Sequence, residues 1–191
     1  MISPESDRAP DGDRGGGKGI EKQDGKSPST TSAAPRQTIL SAALKYTVKV
    51  PVFPGDPKTK RPLVKHGFKD ASKDQEQIRA WWTRWPDAII CMPTGRASGF
   101  IVLDIDVKNG QDGRAALAEL ERQHGPLPKT LTAETPSGGL HLYFTMPDTD
   151  PPLGNSAGKL GPGIDVRGEG GYIVLPPSRI NGRAYKWVAY E

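Results

Sequence analysis

Hydrophobic side chains recur along the chain with two clean periods, and those periods sort it into elements. Ile39, Leu40, Ala43 and Leu44 have helical spacing. Val48, Val50 and Val52 alternate as a strand, and Pro51, with no N–H to donate, confines that strand to a sheet edge. Ser72-Lys-Asp-Gln75 has the form of a capping box, and the helix it opens sets Ile78, Trp81, Trp82 and Trp85 on one face before Pro86 stops it. A tryptophan stripe at that spacing reads as core packing rather than as a platform for stacked bases. Residues 88–92 form a short buried strand, and Pro93-Thr-Gly95 turns the chain into the next one. Asp112 is an N-cap for a helix over 113–124 that buries Ala116, Leu117 and Leu120 and ends at Gly125-Pro126. His124, in its last turn, suits the helix dipole. Strands follow over 130–135 and 140–146, joined by a tight turn at 136–139. Residues 147–163, rich in Pro, Gly, Asn and Asp, read as a long loop. Further strands cover 163–168 and 172–175, and a last hairpin runs through Asn181-Gly182 to Tyr185, Trp187 and Val188.

The stretch 100–107, Phe-Ile-Val-Leu-Asp-Ile-Asp-Val, is the centre of this pattern. Its β-branched and aromatic residues predict a strand, on which Ile101, Leu103, Ile105 and Val107 share one face and Asp104 and Asp106 the other. Those carboxylates stand roughly 6.5–7 Å apart at Cα from the rise of a strand. Two like charges in a hydrophobic run repel and lose hydration. A divalent cation such as Mg²⁺ or Mn²⁺ offsets both costs, since hard ions take carboxylate oxygen; an edge strand with one wet face is the blander account. Two more strands sort the same way. Leu142, Phe144 and Met146 oppose His141, Tyr143 and Thr145; Ile164 and Val166 oppose Asp165 and Arg167. The Gly138-Gly139 pair before His141 allows close backbone approach to a ligand, and Ser137 stands four residues from that histidine. A lone histidine is ordinarily structural, but here acids, an arginine and a Ser/Gly turn surround it. Together these make a sheet with one oily face and one reactive face. Carboxylates to hold metal and an arginine fork for phosphate oxygens are the parts of nucleotidyl or phosphoryl transfer. The loop at 54–62, basic at Lys58, Lys60 and Arg61, reads either as solvated surface or as a phosphate-facing loop over that site.

Composition narrows the setting. A chain of 191 residues with 25% charged and 35% hydrophobic side chains, 23 Gly and 19 Pro, is loop-rich and non-fibrous. No apolar run approaches the ~20 residues needed to cross a bilayer, and the N-terminus lacks the apolar core of a secretory signal. A single cysteine, Cys91, excludes an internal disulfide framework and, with only three histidines, argues against structural zinc; this suits a reducing, cytoplasmic location. Residues 1–36 hold too little apolar surface to order and read as a disordered tail. They carry six basic and six acidic side chains, so the net charge of +4 sits on 37–191, the expected catalytic domain, and weakly favours a polyanionic partner.

Three motifs in order give the chain a close resemblance to the bifunctional DNA primase/polymerase (Prim-Pol) domain of the archaeo-eukaryotic primase superfamily, found in plasmid, phage and mobile-element replication proteins. They are Ile-Val-Leu-Asp104-Ile-Asp106, Thr-Pro-Ser137-Gly-Gly-Leu-His141, and Gly-Ile-Asp165-Val-Arg-Gly168 with its Gly-Gly-Tyr-Ile-Val-Leu-Pro-Pro-Ser178 continuation. Pro62-Leu63, the Trp81-Trp82 helix and Pro93-Thr-Gly95 resemble the family too, so the likeness covers roughly 38–188. The resemblance implies an α+β fold, with an α/β half, an RRM-like half and the active site between them. It implies that Asp104, Asp106 and Asp165 bind catalytic Mg²⁺ or Mn²⁺. It gives Ser137, Gly139, His141 and Arg167, and more loosely Lys60, to the phosphates of an incoming NTP or dNTP. Its partners are a DNA template and primer, with a helicase domain or protein beside them and no membrane. One cysteine cannot build the zinc element that some relatives insert. A chain ending at Glu191, without the helical domain some relatives use to start primers, favours extension over de novo priming and reads as the front of a longer protein. A metal-dependent nuclease or phosphohydrolase, and a non-catalytic DNA-binding module of a replication initiator, remain the alternatives to a template-dependent nucleotidyltransferase.

Overall fold

Among the described residues, side-chain caps start all three α-helices where the chain supplies short polar residues. The computed structural model describes residues 38–108 and 110–188. Thr38 caps α1 (Ile39–Tyr46) by accepting from the Ser41 amide. Asp112 caps α3 (Gly113–His124) through the Ala115 amide, as expected. The cap of α2 (Gln75–Arg84) falls on Asp74 rather than on Ser72. Asp74 is itself a strong N-cap, and Ser72 Oγ serves one step earlier by accepting from the Asp74 amide. On α2, Ile78 and Trp82 are buried and Trp81 and Trp85 pack beside them, so the tryptophan face is core. None of the helices among the described residues is long and apolar enough to cross a membrane. The tail expected over residues 1–36 lies outside the described residues.

The strands in chain order are β1 (Phe53–Gly55), β2 (Ile89–Pro93), β3 (Phe100–Ile105), β4 (Thr132–Glu134), β5 (Leu140–Thr145), β6 (Ser156–Gly161), β7 (Ile164–Arg167), β8 (Tyr172–Val174), β9 (Arg179–Ile180), β10 (Arg183–Ala184) and β11 (Lys186–Val188). Six of them build one sheet in the order β11-β4-β5-β3-β7-β6, every pair antiparallel. A second antiparallel sheet is β1-β2-β8, and β9-β10 close the hairpin at Asn181-Gly182, both with positive φ. Antiparallel sheets with few helices make the fold α+β.

Burial explains the unbroken apolar run of β2. Ile90 and Met92 join α1, α2 and the large sheet in one core cluster, while Ile89 and Cys91 join Phe53, Val174 and Tyr185 in another. A strand covered on both faces needs no alternation. The large sheet corrects the picture of one oily and one reactive face. The face carrying Asp104 also supplies Val102, Ala133 and Tyr143 to the main core, each 3% exposed or less. That face points inward, packed at one end and open at the other. The opposite face rests on α3 over β3, β6 and β7; Ile105 and Ile164 are buried there, while Leu103, Leu142 and Phe144 stay half-buried.

Several expected boundaries move. The valines at 48–52 form no strand: residues 47–50 are a turn with Val48 75% exposed, and the strand starts at Phe53. There the Val50 amide bonds back to Tyr46 O, and Val50 and Val52 reach the core without a ladder. Within the expected loop 147–163, residues 156–161 form β6, an edge strand whose register with β7 slips between Ala157 and Gly161. Its Gly-rich, largely exposed sequence carries no alternation to read. The strand expected over 130–135 shortens to β4, and the central strand ends at Ile105, leaving Asp106 one residue beyond it.

Candidate active site

Register does most of the assembly. β3 runs between β5 and β7, so Asp104 lies opposite His141 on one side and Asp165 on the other, and Val102 lies opposite Arg167. Paired residues of antiparallel strands share a face, and three residues distant in the chain therefore meet. Asp104 Oδ1 is 3.4 Å from His141 Nε2, and Arg167 Nη2 donates to Asp104 Oδ2 at 3.2 Å and to Asp165 Oδ2 at 2.9 Å. The other Asp165 oxygen accepts from the Gly158 amide at 3.1 Å, which is the structural use of the slipped edge strand. Burial alone would raise the Asp104 carboxyl, but the hydrogen bond and charge of His141 and the Arg167 guanidinium outweigh it and bring it down to about 2. Like charges directly across a ladder destabilise it. Here one guanidinium nitrogen bridges the two.

Asp106 is placed differently. Its amide donates to Gly163 O at 2.7 Å, its carbonyl accepts from the Gly113 amide at 2.8 Å, and its carboxylate pairs with Lys108 Nζ at 2.9 Å. The backbone is thus fixed although the ladder has ended. Among the described residues no three His, Cys, Asp or Glu side chains gather closely enough to hold a metal as they stand. The donor set nevertheless fits a hard divalent cation: Mg²⁺ commonly takes one or two carboxylates and completes its shell with water and substrate phosphate. Asp104 and Asp165 are an oxygen pair already arranged about one positive charge.

Asp104, His141 and Arg167 line a cleft of about 400 Å³ whose walls come from both sheets, with Lys60 and Lys108 as its other cations and Tyr185 as part of its lining; Asp106 and Asp165 are not among the cleft-lining residues, and Asp165 meets the cleft through Arg167. Larger hollows beside Trp81 (about 680 Å³) and Pro86 (about 970 Å³) take neither member of the cross-strand acid pair, so chemistry and not size selects the site. Lys60 sits on the rim with φ +62°, its carbonyl accepting from Tyr172 OH at 3.2 Å and its Nζ 5.8 Å from the Tyr185 ring centre. His141 is buried, its ring 5.5 Å from that of Tyr185, and its Nδ1 has no hydrogen-bond partner among the described residues. Ser137 is not among the cleft-lining residues. It lines a separate hollow and shares a hydrogen bond of 3.1 Å with Thr135 Oγ1. Gly139 is small for its own strand pairing, since a Cβ there would lie 2.1 Å from Ile105 O.

Sequence reasoning missed Lys108, Asn155 and Tyr185 in this cleft. Lys108 carried a readable signal, because it continues the period of two from Asp104 and Asp106. Asn155 accepts from the Gly168 amide at 3.0 Å, and Tyr185 meets His141 from the single residue between β10 and β11; neither contact has a local signature.

A family model described as bifunctional DNA primase/polymerase, N-terminal, matches residues 43–191. The chain belongs to this family. A comparison with curated proteins found no match. Membership makes this Prim-Pol domain a DNA primase/polymerase at the level of the family, with DNA and nucleotides as its substrate class.

Proposed function

We propose that residues 37–191 form the catalytic domain of a template-dependent nucleotidyltransferase, which joins nucleotides to a 3′-hydroxyl and releases pyrophosphate. The carrying observation is the Asp104–Asp165 pair held around one cationic nitrogen, its Asp104 and Arg167 members lining a cleft that also carries Lys60 and Lys108. On this reading Asp104 and Asp165 hold Mg²⁺ or Mn²⁺, with Asp106 as the third carboxylate, and the family's division into two halves corresponds to the two sheets flanking the cleft. Two such ions would supply Lewis acidity to the phosphoryl group and the attacking hydroxyl. Arg167 presents a planar fork to phosphate oxygens, and Lys60 and Lys108 add point charges. His141, held 3.4 Å from Asp104, keeps one ring nitrogen directed at the acid and positions it.

Primer extension on a templated oligonucleotide tests this directly. The wild-type chain extends the primer with Mg²⁺ or Mn²⁺, and labelled DNA incubated with metal but no nucleotides stays intact. Asp104→Ala and Asp165→Ala each lose more than about a hundredfold, the scale for removing one preorganised electrostatic group. Absence of extension by the wild type, beside an active control polymerase, would overturn the proposal.

A further inference from the structure

The turn at 136–139 and the hairpin at 179–184 face each other across a hollow of about 390 Å³ that shares no lining residue with the acid cleft. Arg179, Arg183 and Lys186 line it, with Ser137 on the turn and Glu134 as its one acid. In the acid cleft two of the three cations are matched, Arg167 by Asp104 and Asp165 and Lys108 by Asp106, while Lys60 lies 5.8 Å from the Tyr185 ring centre. In this hollow none is matched. Among the described residues, Arg179, Arg183 and Lys186 make no ion pair, and Lys186 stands opposite Glu134 in register without closing one. Arg179 spends one donor on Gly182 O at 2.6 Å, which shapes the hairpin but leaves the charge uncompensated. The carbonyl at the turn, Gly138 O, is taken up by Arg114 at 2.8 and 3.0 Å, so it does not add an open acceptor to the hollow. Three cations lining one hollow repel one another; an anion between them would reverse the sign.

We propose that this hollow seats a phosphodiester of the DNA strand, separately from the nucleotide cleft; the inference rests on the nucleotidyltransferase reading above. Tyr185 explains the connection. It is 2% exposed and lines the cleft against His141, while its chain neighbours Ala184 and Lys186 line the hollow, because adjacent residues of an extended segment point opposite ways. The two sites are therefore back to back across one residue. A nucleotide in the cleft cannot present phosphate to both, whereas a strand whose end reaches the cleft passes the hollow within about two nucleotides, at one charge per ~3.4 Å of strand.

The test is fluorescence anisotropy of a labelled primer–template duplex over a KCl series, with the full chain. Arg183→Ala/Lys186→Ala, both exposed positions, should weaken binding about tenfold and lower the slope of log affinity against log salt by about 2, one per lost phosphate contact. Binding of a fluorescent dATP analogue without DNA should stay within about twofold of wild type, and Arg183→Lys/Lys186→Arg should bind the duplex as wild type does. Unchanged thermal unfolding of the alanine pair excludes misfolding. Unchanged duplex affinity and slope, no duplex binding by the wild type, or loss of the dATP analogue instead of the duplex, would each overturn the inference. The two readings fail separately: a wild type that does not extend primers sinks the polymerase assignment even where the alanine pair loses DNA. A wild type that extends, with an alanine pair that binds normally, sinks only the hollow.

Discussion

A methyl group on Gly139 would stand 2.1 Å from the Ile105 carbonyl oxygen, inside the β3–β5 ladder that sets Asp104 opposite His141. Gly139→Ala should therefore cost about 3 kcal/mol in urea unfolding, at the upper end for overpacking, because backbone and not a flexible side chain must yield. Gly138→Ala is the control: its φ of +88° strains any L residue, but the nearest atom is Val107 Cγ2 at 3.7 Å, so about 1 kcal/mol is expected. Arg167 is the other decisive side chain. Arg167→Ala leaves two carboxylates facing each other across a ladder and should lower stability by roughly 2 kcal/mol, less than for a fully buried pair because the guanidinium is 36% exposed. If Asp104 and Asp165 hold a cation, saturating Mn²⁺ should restore much of that loss in Arg167→Ala and none of it in Asp104→Ala/Arg167→Ala. Equal Mn²⁺ responses in the two variants would argue against the metal assignment without any appeal to activity.

At the scale of elements, the corner between α3 and β7 decides where the third acid sits. Gly163 has φ +72°, and a Cβ there would lie 2.7 Å from Asp106 O, while one on Gly113 would lie 2.4 Å from Gly163 O. Two glycines in contact let α3 dock against the end of β3 and tie both backbone groups of Asp106. Gly163→Ala should displace Asp106 and reduce primer extension by about a hundredfold, the cost of a misplacement near 1 Å, with the Asp104–Arg167–Asp165 triad left in place. Elements like α3 were legible because cap, apolar spacing and stop all coincide in the chain. β3, β5 and β7 were legible because alternation was clean. β6 was not, since an edge strand that exposes four of its six residues has no apolar period. The valines at 48–52 misled for the converse reason: Val50 and Val52 alternate into the core from a turn and a single bridge.

The whole molecule depends on pairings that no local pattern announces. β8 follows β7 in the chain yet leaves the large sheet for the small one, and Ser137 precedes His141 by four residues yet opens on another hollow. Faces of strands were readable; the partner across each face was not. A partly buried phenol ties α1 to the strands around it. Tyr46 OH donates to Pro176 O at 2.6 Å and accepts from Trp187 Nε1 at 3.0 Å, linking α1 to β11 and the end of the small sheet. Burial pushes the Tyr46 hydroxyl up to about 12, against a smaller lowering by the Trp187 bond, and burial also raises Tyr143 and Tyr185. The fold prefers the un-ionised phenol, so the contribution of Tyr46 is complete below pH 10, its ordinary value, and is lost as pH climbs from 10 to about 12. That displacement corresponds to roughly 3 kcal/mol once Tyr46 has fully titrated. Urea midpoints should be flat across neutral pH and fall steeply above pH 10. Tyr46→Phe, which strands Pro176 O and Trp187 Nε1, should be less stable than wild type at pH 8 by about 1–3 kcal/mol. The gap should then close as pH passes 10, because phenylalanine has no proton to lose; a gap that stays constant up to pH 12 would mean that Tyr46 ionises alike in the folded and unfolded chain.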